Sequence, residues 1–187
     1  MPPPPAPKER IKREAMRLFV AHGVDAVSMR DIAAAVGMKA PSLYAHFSSR
    51  DDLIGTLFHT GYAEYGRQLA GAAAGPGDFR DRLEAMVRVV CALHARDELL
   101  FNFLLLTQHG VLRDVPLGEH NPVGVICHAV AAAMQAGHIP AGNPALLAAA
   151  IIGIVVQAAT FKLYGRMDQG LGEMTDDIVV LCLKLVS

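Results

Sequence analysis

The feature that most constrains the fold is a helical repeat of apolar residues that runs through almost the whole chain. In residues 8–22 these residues recur at every third or fourth position, the spacing of one helix face, at Ile11, Ala15, Leu18 and Phe19. Glycines and helix-capping residues separate each such segment from the next. Because no segment alternates with the period of two that a half-buried strand needs, the sequence predicts an all-α fold with about nine helices.

Two short helices are predicted after the first, and each has its own start and stop signals. Ser28 and Asp31 have the spacing of a capping box, which begins the second helix, and Gly37 ends it. Pro41 is tolerated in the first turn of the third helix, where a backbone N–H has no helical partner. The residues expected on the inner faces are Met29, Ile32, Ala33, Val36, Leu43 and Phe47.

Helix-breaking and helix-capping residues after Phe47 predict six further helices. Their start signals include Ser48 with Asp51, Asp78, Asn143 with Pro144, and Thr175. Residues 110–122 contain two glycines, two prolines and an asparagine, so they are predicted to form a loop.

Composition and charge exclude several classes of protein. The 187 residues are 52% hydrophobic with a formal net charge of -1, which excludes a disordered chain and an obviously basic nucleic-acid binder. Charge is uneven, however, because residues 1–50 carry eight basic and four acidic side chains, a net +4, and the rest carries −5. This asymmetry indicates that the N-terminal segment meets a polyanion. Three widely spaced cysteines give no disulfide framework, so we expect a reduced, cytoplasmic protein.

Two segments bear on targeting. Residues 1–7 include four consecutive prolines and lack the apolar stretch of a signal peptide, so they are predicted to be a disordered or polyproline tail. Residues 144–161 are the most membrane-like, but Gln157 and Thr160 interrupt a segment shorter than the roughly 20 apolar residues that span a bilayer. We therefore expect a buried or interface helix and no membrane partner.

The second and third helices, joined through Gly37 and supported by the first, have the pattern of a helix-turn-helix over residues 28–47. The outward polar side chains of Ser42, Tyr44 and His46 can donate to phosphates, and the first turn of the third helix can reach base edges. A plain three-helix packing unit uses the same caps and spacing, so the pattern alone leaves both interpretations open.

Residues 28–53, with Leu18-Phe19 and Gly23 before them, strongly resemble the N-terminal domain of the tetracycline-repressor (TetR) family. The motif elements at that family's spacing are Ser28, Ile32-Ala33, Val36-Gly37, Leu43-Tyr44, His46-Phe47 and Arg50-Asp51-Asp52-Leu53. The resemblance implies a DNA-binding domain at residues 8–55, joined through the fourth helix to a ligand-binding and dimerisation domain at residues 56–187. It also implies a homodimeric transcription regulator, usually a repressor, that binds a pseudo-palindromic double-stranded operator and is released by a small-molecule effector.

The resemblance also implies roles for individual residues. Phosphate contacts are implied for Ser28, Tyr44, His46 and Arg50, and base-facing positions for Arg30, Lys39, Ala40, Pro41 and Ser42. Ala40 and Ala45 are smaller than the residues that some relatives carry there, so direct readout is expected to rest mainly on Arg30 and Lys39.

Helices five to eight are predicted to enclose a mainly apolar pocket for a hydrophobic or weakly polar small molecule, because they carry isolated polar groups among apolar ones. The predicted lining residues are Met86, Val90, His94, Phe103, Thr107, His128, Met134, Gln157 and Phe161. The alternative is a closed core in which these polar groups satisfy one another.

The eighth and ninth helices are predicted to form a four-helix dimer interface, because the eighth combines small residues that allow close helix approach with β-branched ones. The predicted interface residues are Ile152, Gly153, Val156, Ile178, Leu181 and Leu185. Burial within one subunit is the alternative.

Motifs for other functions are weak or missing. The sequence has no nucleophile elbow, phosphate loop, HExxH or paired-carboxylate motif, so we expect neither an enzyme nor a cofactor. Cys91 and His94 can share a helix face, which keeps a metal-responsive regulator open as an alternative. Cys127 and His128 are adjacent and point apart, so we expect no metal site. A helical small-molecule-binding protein without a regulatory role is the remaining alternative.

Overall fold

The computed structural model describes residues 6–111 and 121–187, and within those ranges it is all-helical, as predicted. The helices are α1 (Pro7–His22), α2 (Met29–Ala35), α3 (Ala40–Tyr44), α4 (Arg50–Ala73), α5 (Phe79–Arg96), α6 (Glu98–Val111), α7 (Pro122–Gln135), α8 (Pro144–Leu163) and α9 (Thr175–Lys184).

Side-chain caps begin several of these helices where the sequence predicts them. Ser28 Oγ accepts from the Asp31 backbone N–H at 3.3 Å, while the Ser28 N–H donates to Asp31 Oδ2 at 2.8 Å, which completes the capping box of α2. Asp78 forms the equivalent box at the start of α5, and Asn143 caps α8. Since a cap needs only residues two or three positions apart, local sequence is sufficient to predict it.

The start of α4 differs by one residue from the prediction. Asp52 N–H donates to Ser49 Oγ at 3.0 Å and Ser48 N–H donates to Asp52 Oδ2 at 2.8 Å, so the Ser48–Asp51 pairing is wrong. The sequence Ser-Ser-Arg-Asp-Asp offers two registers of the same motif, and only the structure selects between them.

Other helix ends also differ. Helix α1 begins at Pro7, the last residue of the predicted tail, because proline is accommodated in a first turn. Thr175 is the first helical residue of α9 rather than its cap, and its hydroxyl donates to the Leu171 carbonyl at 3.0 Å. Helix α6 continues to Val111. Residues 1–5 of the predicted tail and 112–120 of the predicted loop lie outside the described residues.

The first of two compact units contains α1 to α3, α4 as far as Gly61, and α6 from Leu99. The rings of Phe19 in α1 and Phe103 in α6 stack with centroids 5.9 Å apart. A Cβ on Gly61 would lie 2.9 Å from Leu100 Cδ1, so α4 and α6 approach closely there. The unit is thus larger than the domain predicted at residues 8–55, because it includes a helix from much later in the chain.

The second unit contains α4 from Tyr62, α5, and α7 to α9, with α5 packed on α9 and α7 packed on α8. Cys91 and Cys182 are fully buried on α5 and α9. Burial raises the pKa of Cys91 and raises the pKa of Cys182 to about 11, so both thiols are protonated at neutral pH.

Helix α8 is the most apolar helix of the second unit, yet only a few of its residues are buried. Its 20 residues are long and apolar enough to cross a membrane by length and composition alone, yet only 22% of its most apolar window is buried. Leu146 and Gly153 lie exposed on it, and a Cβ on Gly153 would meet nothing within 4 Å. Contacts within the chain therefore bury only a small part of this apolar helix.

Candidate nucleic-acid interface

The inner face of the α2–α3 pair is closed by apolar side chains. Ile32, Leu43 and Phe47 are buried, as the spacing predicts. Gly37 joins the two helices with φ +68, a left-handed conformation that glycine adopts without the steric penalty of a Cβ. The Met38 N–H donates back to the Ala33 carbonyl at 2.9 Å, so the turn between the helices is tight.

The outer face of the same pair is polar and open to solvent. Among the residues predicted to contact DNA, Ala40 and Arg50 are half-buried, and the exposed ones are Ser28, Arg30, Lys39, Pro41, Ser42, Tyr44 and His46. Tyr44 is 51% exposed, although tyrosine is a residue that folding usually covers at least in part. Most of the predicted contact residues are therefore open to solvent, and their contacts with DNA stay a prediction.

Ser28 already has a structural task at this surface. Its hydroxyl donates to Asp31 Oδ2 at 2.6 Å, and the hydrogen bonds from Ser28 lower the pKa of the Asp31 carboxyl. Since a hydroxyl has one proton to donate, a phosphate contact through Ser28 Oγ needs that proton to be redirected.

Two arginines contact backbone carbonyls around α2. Nη1 of Arg50 lies 3.4 Å from the Val24 and Asp25 carbonyl oxygens and 3.5 Å from that of Val27. Nη2 of Arg10, in α1, donates to the Val36 carbonyl at 2.9 Å. Arg10 was not predicted from the sequence, because its partner lies 26 positions away and no local spacing indicates the contact.

The predicted pocket residues differ in burial and do not all belong to the same unit. Met86 and His94 are buried on α5 in the second unit, and Val90, Met134 and Phe161 are half-buried. The exposed residues are His128 and Gln157. Phe103 and Thr107 belong to the first unit, where the Thr107 hydroxyl donates to the Phe103 carbonyl at 2.6 Å. The structure thus brings only part of the predicted set into one unit, and the pocket stays a prediction.

His94 is the buried titratable group of that set. It is 2% exposed, and burial lowers the pKa of its imidazole, with Lys162 adding to the effect and Glu98 opposing it. The ring is therefore neutral at pH 7, with one nitrogen able to donate and the other able to accept.

A further polar contact of the second unit was not predicted. The Tyr62 hydroxyl donates to Asn121 Oδ1 at 3.3 Å, and Asn121 also caps α7. Burial raises the pKa of Tyr62 to about 12. The proline after Asn121 signals a helix start in the sequence, but nothing local indicates the tyrosine.

Only one of the six predicted dimer residues is buried. Gly153, Leu181 and Leu185 are exposed, and Ile152 and Val156 are half-buried. Ile178, in contrast, is only 4% exposed, because it lies on the face of α9 that is covered within the chain.

Metal ligands do not converge in the part of the chain that the structure describes, where no group of three or more His, Cys, Asp or Glu side chains is placed to hold an ion.

Sequence comparison adds an independent observation on the N-terminal segment. Residues 11–57 match the family described as bacterial regulatory proteins, tetR family. The chain is also 48% identical over 40 residues to the HTH-type transcriptional repressor ComR of Escherichia coli (strain K12), a match that spans 21% of this chain and 19% of that protein. The chain therefore matches about a fifth of the length of this curated relative.

Structural comparison extends the likeness to nearly the whole chain. A bacterial regulatory protein in the tetR family from Rhodococcus RHA1 has a TM-score of 0.78 at 20% identity, with 96% of each chain covered. AibR, in complex with isovaleryl coenzyme A and operator DNA, has a TM-score of 0.72 at 21% identity, with 94% of this chain and 97% of that chain covered. At these identities the likeness shows a shared fold.

Proposed function

We propose that the protein is a cytoplasmic DNA-binding transcriptional repressor, because residues 11–57 match the tetR family of bacterial regulatory proteins and the chain has the fold of a solved protein of that family. The observation that carries the proposal is the two-sided α2–α3 pair. Its inner face is closed by Ile32, Leu43 and Phe47, and its outer face presents polar groups that have no part in the core.

The outer residues divide by the part of DNA that they contact. Tyr44, His46 and Arg50 contact phosphates and fix the orientation of the protein on the duplex. Arg30 and Lys39 read base edges, with a discrimination of about 1–3 kcal/mol for a good bidentate contact. The +4 charge of residues 1–50 adds an attraction for DNA that does not depend on sequence.

A homodimer is the assembly that best accounts for α8. Only 22% of the most apolar window of this helix is buried within one chain, and Leu181 and Leu185 expose apolar surface on α9. Two copies related by a two-fold axis cover both surfaces with one interface. The same symmetry presents two α3 helices to successive major grooves, which lie about 34–36 Å apart, and so requires a pseudo-palindromic operator.

The effector is a small, mainly apolar molecule of the acyl type that binds in the second unit. The buried Met86 and the half-buried Val90 supply apolar surface on α5, and the neutral His94 adds a polar side chain among them. AibR, which has the same fold, is seen with an acyl thioester and DNA together. Helix α4 runs unbroken from Arg50 in the first unit to Ala73 in the second, so it is the element through which the effector releases DNA. We expect a coupling free energy of about 1–3 kcal/mol between effector binding and DNA binding.

Selection of duplexes from a random-sequence pool tests DNA binding directly. The wild-type dimer is expected to enrich a two-fold symmetric sequence. Tyr44→Ala is expected to weaken binding to every duplex, whereas Lys39→Ala weakens discrimination at particular base pairs. Lys184→Ala is the control for Lys39→Ala, because it also removes one positive charge, but from the last turn of α9. A folded dimer that enriches no duplex at low salt refutes the proposal.

Thermal-shift measurements with an acyl-coenzyme A series test the effector. A short-chain acyl thioester is expected to stabilise the wild type and to release the selected duplex. His94→Phe, which fills the site, is expected to abolish both effects. If this variant folds and responds like the wild type, the effector site has been assigned to the wrong residues.

A further inference from the structure

Two arginines from different helices hold the main chain on either side of α2. From α4, Arg50 points Nη1 at the carbonyl oxygens of residues 24, 25 and 27, which precede the helix. From α1, Arg10 donates through Nη2 to the Val36 carbonyl, which follows it. One end of α2 is therefore held by α4 and the other end by α1.

The Arg10 contact lies where the backbone most needs a donor. Val36 is the C-terminal cap of α2, and the last carbonyls of a helix have no N–H partner within that helix. A guanidinium donor satisfies such a carbonyl through a charge-assisted hydrogen bond, which is stronger than a neutral one. At 2.9 Å the contact has the length of a normal hydrogen bond.

The position of Val36 sets the position of the base-facing residues. Only Gly37 and Met38 separate Val36 from Lys39, and the hydrogen bond from the Met38 N–H to the Ala33 carbonyl keeps this turn compact. So short a connection cannot absorb a displacement of the Val36 backbone. Such a displacement therefore moves Lys39 and the start of α3 as well.

We propose that Arg10 is a positioning residue for sequence recognition, which holds the turn between α2 and α3 so that Lys39 and the first turn of α3 meet the base edges. This inference rests on the proposed DNA binding. Arg50 holds the chain that enters α2 and so has a structural task besides the phosphate contact assigned to it.

A positioning role and a phosphate contact have different consequences. Loss of a phosphate contact weakens specific and non-specific binding alike and reduces the dependence of affinity on salt. Loss of positioning weakens the base contacts, so affinity for the selected duplex falls while affinity for other duplexes is kept. A folding defect lowers the active fraction and leaves the ratio of the two affinities unchanged.

The experiment compares Arg10→Met, Arg10→Gln and Arg10→Lys with a matched control, Lys12→Met. The control removes one positive charge from the same helix, from a side chain that pairs with Glu9 at 2.8 Å. Fluorescence anisotropy measures the affinity of each full-length variant for the duplex selected by the wild type and for its scrambled sequence. Arg10→Met and Arg10→Gln are expected to lower the ratio of these affinities about tenfold, the size of one base contact. Arg10→Lys, which keeps a charged donor, restores most of the ratio, and Lys12→Met leaves it unchanged.

Other results overturn the proposal. If Arg10→Met matches Lys12→Met in both affinities, Arg10 contributes only its charge. If Arg10→Met fails to fold, Arg10→Gln decides, and a wild-type ratio in that variant contradicts the positioning role. If the wild type selects no duplex at all, the proposed function fails and the positioning role fails with it.

Discussion

Replacing Gly153 by leucine separates the folding of one subunit from the association of two. Gly153 lies within α8 on its exposed face, and a Cβ there meets nothing within 4 Å in the same chain. The substitution therefore causes no clash inside the subunit. It places a large side chain on the surface that we propose to be the centre of the dimer interface.

The two effects have opposite signs. Within the subunit, leucine is a better helix former than glycine by somewhat under ~1 kcal/mol, which corresponds to a rise in Tm of roughly 1–4 °C for a chain of this size. At a close-packed interface, an inserted side chain costs about 1–3 kcal/mol by overpacking. The two-fold axis doubles that cost, so the dissociation constant of the dimer is expected to rise by roughly 30-fold to 10⁴-fold.

Gly71→Leu is the matched control. Gly71 is also an exposed helical glycine at which an added Cβ would meet nothing within 4 Å, but it lies on α4. The gain in helix stability is the same, and the dimer is expected to be unaffected.

Sedimentation velocity across a concentration series measures the dimer, and a thermal melt at low protein concentration measures the subunit. The expected result is a folded Gly153→Leu monomer beside a Gly71→Leu dimer. A Gly153→Leu dimer as tight as the wild type would refute the assignment of this face of α8. A wild-type protein that is monomeric at micromolar concentration would refute the dimer itself.

Three further predictions concern the interior and the edge of the proposed interface. Phe103→Ala is expected to reduce the free energy of unfolding by about 3–5 kcal/mol in a denaturant titration, because the buried ring stacks on another helix. Ile178→Ala is expected to lower the melting temperature of the subunit, because Ile178 is buried. Leu181→Ala, at a residue that is 50% exposed, is expected to weaken only the dimer, as measured by sedimentation. The reverse pattern would show that Leu181 lies on the inner face of α9 and Ile178 on the dimer face. Burial lowers the pKa of His94 below its usual 6.5, so the unfolded chain binds a proton at His94 more tightly than the folded chain does. The free energy of unfolding is therefore unaffected by this group above pH 6.5 and falls as the pH drops below 6.5. His94→Gln is expected to flatten this fall between pH 7 and pH 5 in melts.

The sequence by itself determines the helices and the two-sided character of α2 and α3. Capping boxes at Ser28 and Asp78, and the burial of Leu43 and Phe47, involve residues a few positions apart. Such patterns are local, so the sequence shows them directly. The exposure of Tyr44 and His46 follows from the same periodicity, while their contacts with DNA stay a prediction.

The tertiary structure decides what depends on distant partners. It places Phe103 against Phe19 and so assigns most of α6 to the first unit, across 84 positions of sequence. It also directs Arg10 to the Val36 carbonyl and turns Ile178 into the subunit while Leu181 stays outside. A helical stripe shows which residues share a face but not which neighbour covers that face, because that choice is made by packing between segments that the local sequence does not connect.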